Sequence, residues 1–303
     1  MRSLPINLGR LFYDKITFVN KIRRNSMDNK ELQLTAAKVR KGIVTAVHSA
    51  KSGHPGGSLS AADMYTFLYF EQMNIDPKNP KMENRDRFVL SKGHTAPGLY
   101  STLANRGYFP VEELTTLRKF GSRLQGHPCM NETPGVDMSS GSLGQGLSVA
   151  VGMALSAKLD NKDYRVYALC GDGEIQEGQI WEASMFAGAH KLNNLTVIVD
   201  NNGLQIDGRV EDVCSVYPIA DKFKAFNFNV VEIDGHDFDQ IRDAFKKAEA
   251  CTTMPTAIIM KTTKGKGVSF MEDQAGWHGK APNDEEFEQA IKEIDAVIAG
   301  LEG

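Results

Sequence analysis

Two short apolar runs, 166–170 and 196–199, most constrain what this chain can fold into. Each is continuous rather than alternating. Each is too short and too apolar for a surface helix, so it reads as a strand buried on both faces. One helical stretch, about 179–191, separates them. Strand, crossover helix, strand is a βαβ unit, which implies parallel pairing.

The same alternation extends from residue 31 onward. Leu32, Ala36, Val39, Ile43, Ala46 and Ala50 recur at helical spacing. Ser60 and Asp63 resemble a capping box leading into a helix over 61–73. Residues 87–90 predict a short buried strand, followed by a turn at Ser91, Lys92 and Gly93. Pro110 opens a helix through 119, and 149–159 is Ala-rich and helical. Strands over 228–233 and 257–260 bracket a helix that Asp237 caps and that carries Phe238, Ile241 and Phe245. A last amphipathic helix covers 284–298. No repeat, low-complexity tract or linker interrupts 31–303. The pattern predicts one doubly wound α/β domain, a mostly parallel sheet flanked by helices.

Composition narrows the function classes. With 303 residues, 41% hydrophobic and 24% charged, the chain can bury a sizeable core. A net charge of −3 argues against a nucleic-acid surface. No apolar run approaches the roughly 18 residues of a membrane span. Cys129, Cys170, Cys214 and Cys251 are scattered, with no C-x-x-C pair, and read as reduced thiols of a cytoplasmic protein. The first 26 residues stand apart, with six Arg/Lys against one acid, Asp14. They read as an untranslated or disordered leader before a natural start at Met27, with a transit peptide as the alternative.

The chemistry concentrates where the first two strands end. Gly171, Asp172 and Gly173 follow one strand, and Asn201 and Asn202 follow the other. Gly-Asp-Gly alone is a common turn. With a βαβ unit between Asp172 and Asn202, a carboxylate and an amide oxygen converge at one sheet edge, where open α/β folds bind ligands. Two hard oxygens suit Mg²⁺ or Ca²⁺, and the glycines let backbone N–H groups approach a diphosphate.

The stretch GDGEIQEGQIWEASMFAGAHKLNNLTVIVDNNGLQIDG resembles the thiamine diphosphate motif of transketolases. Further motifs follow the family's order: SGHPG at 52–56, DRFVLSKGH at 86–94, GHP at 126–128, SGSLGQG at 140–146 and WHG at 277–279. The resemblance covers about 31–280. One departure is Ser142, where full-length members often carry Pro. The stretch Lys264, Gly265, Lys266, Gly267 is either a phosphate-binding element or a solvated surface loop, and it somewhat resembles deoxyxylulose-phosphate synthases.

The resemblance implies a thiamine-diphosphate-binding fold over 27–303 and a set of roles. Asp172, Asn202 and the carbonyl of Leu204 would ligate Mg²⁺, with Ca²⁺ accepted by the same oxygens. His94, Gly171 and Gly173 would meet the diphosphate, and Gly141 and Leu143 the aminopyrimidine side. His54, His127 and His278 would face the substrate and move protons between sugar oxygens, which suits imidazole near neutral pH. Glu177 and Glu182 match acidic residues that couple the cofactor to a subunit interface. His48, His190 and His236 match no motif and are read as structural.

The family also places a cofactor-activating glutamate and much of the sugar-phosphate site in a second, pyrimidine-binding domain. No such motifs follow here. The expectation is therefore the N-terminal subunit of a split transketolase, acting on sugar phosphates with a separate C-terminal subunit, in a homodimer or heterotetramer. Two alternatives stand beside it. One is a component of another thiamine diphosphate enzyme, deoxyxylulose-phosphate synthase-like or a 2-oxo-acid dehydrogenase α-chain. The other is a non-catalytic cofactor-binding subunit.

Overall fold

The computed structural model describes residues 26–303. The leader expected over 1–26 lies, apart from Ser26, outside them. In chain order the helices are α1 (Asn29–Ala50), α2 (Pro55–Ser60), α3 (Ala62–Phe67), α4 (Ala96–Arg106), α5 (Gln145–Leu159), α6 (Gly178–Ala189), α7 (Val210–Cys214), α8 (Ile219–Ala225), α9 (Phe238–Ala250) and α10 (Asp284–Glu302). The strands are β1 (Arg87–Leu90), β2 (Val166–Gly171), β3 (Leu195–Asn201), β4 (Leu204–Gln205), β5 (Gly208–Arg209), β6 (Asn229–Asp234) and β7 (Thr256–Lys261).

Five strands form one parallel sheet in the order β1-β2-β3-β7-β6, and β4 and β5 form a small hairpin. The βαβ unit read from the sequence is β2-α6-β3. Successive strand residues face opposite sides. Leu169, Ile198 and Ile258 pack with buried residues of α1, α3, α4 and α9. Val197, Val199, Ala257 and Ile259 pack with α5, α6 and α8 on the other face. The return crossover α9 thus lies on the face opposite α6 and α8, as right-handed connections require when the chain reverses direction along the sheet. The other side of α1 carries Val39, Ile43 and Val44 against Ala290 and Ile294 of α10.

Several helix ends follow the capping signals. Asp237 accepts from the Asp239 and Gln240 N–H groups at the start of α9. Asp28 with Glu31, and Asn283 with Glu286, form reciprocal capping boxes for α1 and α10.

Three local expectations are corrected. The helix expected over 61–73 is the short α3 run into a π turn, Leu68–Gln72, and an unexpected helix, α2, precedes it across a break at Ala61. Ser60 caps nothing, because its hydroxyl is drawn 2.6 Å from the buried Asp200 carboxylate, and Asp63 goes to Arg40 instead. The helix from Pro110 is only a 3-10 segment, Val111–Thr116, ended by Leu117 at ψ 130° and followed by Arg118 at φ +59°. The helix expected at 149 begins at Gln145, because Gly144 supplies a left-handed cap at φ +82°.

Candidate active site

The carboxyl ends of β2 and β3 are paired in register, with Gly171 beside Asp200. Past those ends the chain turns twice. Asp172 and Gly173 lead into a 3-10 turn, Glu174–Gln176, and Asn202 leads into the β4–β5 hairpin. The two turns are tied together. Asp172 accepts the Gly203 N–H at 2.5 Å with one oxygen and the Gly173 N–H at 2.8 Å with the other. Asn202 accepts the Leu204 N–H at 3.1 Å through Oδ1 and donates its amide to Asp200 at 3.2 Å. Asp172, Asn202 and Leu204 therefore meet at one corner.

That corner opens onto a cleft of about 380 Å³, which Gly57, Lys92, His94, Asp172, Lys264 and His278 help to line. The donor set is a carboxylate, an amide oxygen and a main-chain carbonyl, all hard oxygens suited to Mg²⁺ or Ca²⁺. Among the described residues no group of three or more His, Cys, Asp or Glu is placed to hold a metal. This set, with its single carboxylate, is a different kind of site. Burial, and then the charge of Asp200, push the Asp172 carboxyl up to about 7, against the Gly203 and Gly173 N–H bonds and Lys92. A cation would favour the charged carboxylate, so the residues fit a divalent ion.

Beside the corner stand three imidazoles. Ring centroids are 5.0 Å apart for His54 and His94, 5.4 Å for His54 and His278, and 5.1 Å for His94 and His278. Burial is the main force on each, followed by neighbouring positive groups. It lowers His54 to about 4, His94 to about 2 and His278 to about 3. All three are neutral at pH 7, each with one donor and one acceptor nitrogen. His278 Nδ1 lies 2.9 Å from Lys264 Nζ, while His54 Nδ1 is buried with no partner among the described residues. His127 is more exposed and lies against Gly141, and its value is lowered by burial and by Arg118.

Of the other expected residues, Gly141, Leu143, Gly171, Gly173 and Glu177 line the cleft. Glu182 does not: it stands exposed on the outer face of α6, a position open to an interface role but not to cofactor contact. His236 bridges the Asp63 carboxylate at 2.7 Å and the Thr263 N–H at 2.9 Å, a structural use.

Of two cationic residues at the site, Lys92 was not read as a site residue and Lys264 was read as either phosphate-binding or part of a solvated loop. Lys264 is no solvated loop residue: it is 2% exposed, and its ammonium donates to the Leu204 carbonyl at 3.1 Å. Burial lowers it to about 8. Lys92 is buried against Asp200, which also takes the Thr262 hydroxyl. Lys92 lies within a quoted motif, SKGH, but a lysine after a strand carries no signal of its depth. The pairing of Lys264 with a carbonyl sixty residues away is equally invisible in sequence.

The chain matches the protein family described as "Transketolase, thiamine diphosphate binding domain" over residues 32–295. It is 45% identical to one of the subunits of the apulose-4-phosphate transketolase of Phocaeicola vulgatus, over 91% of this chain and 98% of that protein. It is 44% identical to "6-deoxy-6-sulfo-D-fructose transketolase subunit SqwG" of a Clostridium species, over 88% of this chain and 96% of that protein. The crystal structure of transketolase from Campylobacter jejuni superposes with a TM-score of 0.83 at 34% identity, over 91% of this chain and 46% of that one. The chain thus spans nearly the whole of two curated relatives and less than half of that solved protein.

Proposed function

The chain belongs to the thiamine diphosphate-binding domain family of transketolases, and from that premise we propose that it is one subunit of a two-subunit transketolase. In this reading residues 27–303 form one diphosphate-binding domain in the cytoplasm. The enzyme moves a two-carbon ketol unit from a ketose phosphate to an aldose phosphate. The observation that carries the reading is the junction of Asp172 with the 202–204 turn in one cleft with His94 and His278, against which His54 packs.

Asp172, Asn202 and the Leu204 carbonyl would hold Mg²⁺, and His94, Gly173, Lys92 and Lys264 would face the diphosphate. Thiamine diphosphate, when bound, would supply the carbanion chemistry that a two-carbon transfer needs. The chain's own residues bind, orient and move protons. The cleft wall fixes His278 through Lys264, which donates to Nδ1 and so leaves Nε2 as the protonated nitrogen. Neutral His54 can take a proton from one sugar hydroxyl and return it to another oxygen, whereas His278, its acceptor nitrogen already used by Lys264, would donate from Nε2 to a sugar oxygen. His127, at the exposed side, would position the sugar's hydroxyls.

Two observations support a second polypeptide. The relatives named above are themselves called subunits. Leu143, Met185, Phe186 and Ile206 are exposed apolar side chains around the cleft mouth and the outer face of α6. The test is a ketol-transfer assay with a ketose phosphate and an aldose phosphate. Activity is expected only when a pyrimidine-domain polypeptide is combined with the chain, Mg²⁺ and thiamine diphosphate. Robust turnover by the chain alone would refute the need for a partner. No turnover in any combination, with cofactor binding intact, would favour a non-catalytic role.

A further inference from the structure

Three loops surround the cofactor corner: 91–94 after β1, 140–146 leading into α5 and 171–173 after β2. They are packed without slack. A Cβ on Gly93 would lie 2.7 Å from Ser140 Oγ and 2.9 Å from the Gly141 nitrogen. A Cβ on Gly146 would lie 2.6 Å from Ser91 Cα. Neither glycine tolerates a side chain without moving a neighbouring loop.

One side chain ties all three together. Glu174 is 3% exposed. Its Oε1 accepts the Ser91 hydroxyl at 2.5 Å and the Gly144 N–H at 2.9 Å. Its Oε2 accepts the Gly171 N–H at 3.0 Å. Gly144 sits at φ +82°, outside any ladder, so its buried N–H needs a side-chain acceptor.

We propose that Glu174 is a positioning residue for the cofactor. It acts through Gly141 and Leu143 on one side and through Asp172 and Gly173 on the other. The carboxylate locks the loops in their binding arrangement before the cofactor arrives, so little ordering is left to do on binding. Carboxylate chemistry is required, because two fixed backbone N–H groups point at two different oxygens. An amide in either orientation would aim its own NH₂ at one of them. The Ser91 hydroxyl can rotate, so it does not discriminate.

The inference rests on the thiamine diphosphate reading of the cleft, and the experiment separates the two. Thiamine diphosphate is titrated calorimetrically, with excess MgCl₂, into the full chain as wild type, Glu174→Gln and Asp137→Asn. Asp137 is another buried carboxylate near the amino end of β1, where it accepts the Phe88 N–H at 2.8 Å and pairs with Arg85, away from the cleft. Glu174→Gln is expected to bind about tenfold more weakly. Asp137→Asn is expected to melt at a lower temperature with affinity within about twofold of wild type. Wild-type affinity in Glu174→Gln, or an equal loss in Asp137→Asn, would overturn the proposal.

Amide hydrogen exchange on the cofactor-free chain provides a second readout. Exchange across 140–146 should quicken in Glu174→Gln, and unchanged exchange would overturn the proposal whether or not the cofactor binds. If wild type takes up no cofactor either alone or with the pyrimidine-domain polypeptide, the cleft reading fails instead. Should Glu174→Gln not fold, Ser91→Ala removes one of the three donors and should weaken binding about threefold. Unchanged affinity there would also count against the proposal.

Discussion

Asp172 lines the cleft and His54 packs beside it against His94 and His278, yet their surroundings are opposite in kind. Both oxygens of Asp172 are met by backbone N–H groups, and Asn202 is held at both ends of its amide. That corner is finished by the fold itself. His54 keeps a buried Nδ1 with no partner among the described residues, beside two rings held neutral by burial. That corner is left open. The difference fits a division of labour in which one corner supplies affinity for a charged group and the other supplies proton transfer to a reacting one. Changes in the first corner should remove binding, whereas changes in the second should remove turnover and spare binding.

The largest expected effect is in the finished corner. Asp172→Ala deletes the only carboxylate of the proposed metal set and frees the Gly203 N–H. Losing residues behind metal ligands alone costs about 10–100-fold in affinity. Loss of the ligand itself should weaken Mg²⁺-dependent thiamine diphosphate binding at least about 100-fold. Calorimetry on the chain checks this, and unchanged affinity would remove the metal site from the account. His54→Asn tests the open corner. Ketol transfer by the reconstituted enzyme should fall about 100-fold, as for loss of a proton-transfer group, with cofactor affinity within about threefold. If affinity fell as far as activity did, the two corners would be one site and the comparison would collapse.

How much of this was legible before the structure depended on range. β1 matches the predicted 87–90, because an apolar run between polar turns leaves little choice of boundary. The strand read as 196–199 extends to Asn201, since Asp200 and Asn201 still pair with Met260 and Lys261 although they are polar. Asp200 can stay in a buried strand because Ser60, Lys92 and Thr262 from other segments satisfy its carboxylate. Asp172 and Asn202 were legible from a motif on a βαβ unit. Lys264 was legible only as one of two alternatives and Glu174 not at all, because the partners of each come from distant loops. The break at Ala61 was missed for a related reason: a demand from Asp200, on another strand, overrode a local capping pattern.

The two corners also carry opposite pH signs, and this gives the smallest effect. For His94 the folded value, about 2, lies below the ordinary 6.5. The unfolded chain then binds a proton that the folded chain refuses. Its contribution is whole above pH 6.5 and is lost as pH falls below it. For Asp172 the folded value, about 7, lies above 3.8, so the folded chain holds the extra proton. Its contribution is present at acid pH and is lost as pH rises through 7. Between pH 5 and 6.5, in cofactor-free protein, His54, His94 and His278 outweigh one carboxyl, so stability should rise with pH. Each proton sets a slope of at most about 1.4 kcal/mol per pH unit. Urea unfolding at pH 5.0 and 6.5 should therefore show a flatter dependence in His94→Asn and a steeper one in Asp172→Asn. If both substitutions shifted the slope the same way, the opposition between the corners would be wrong.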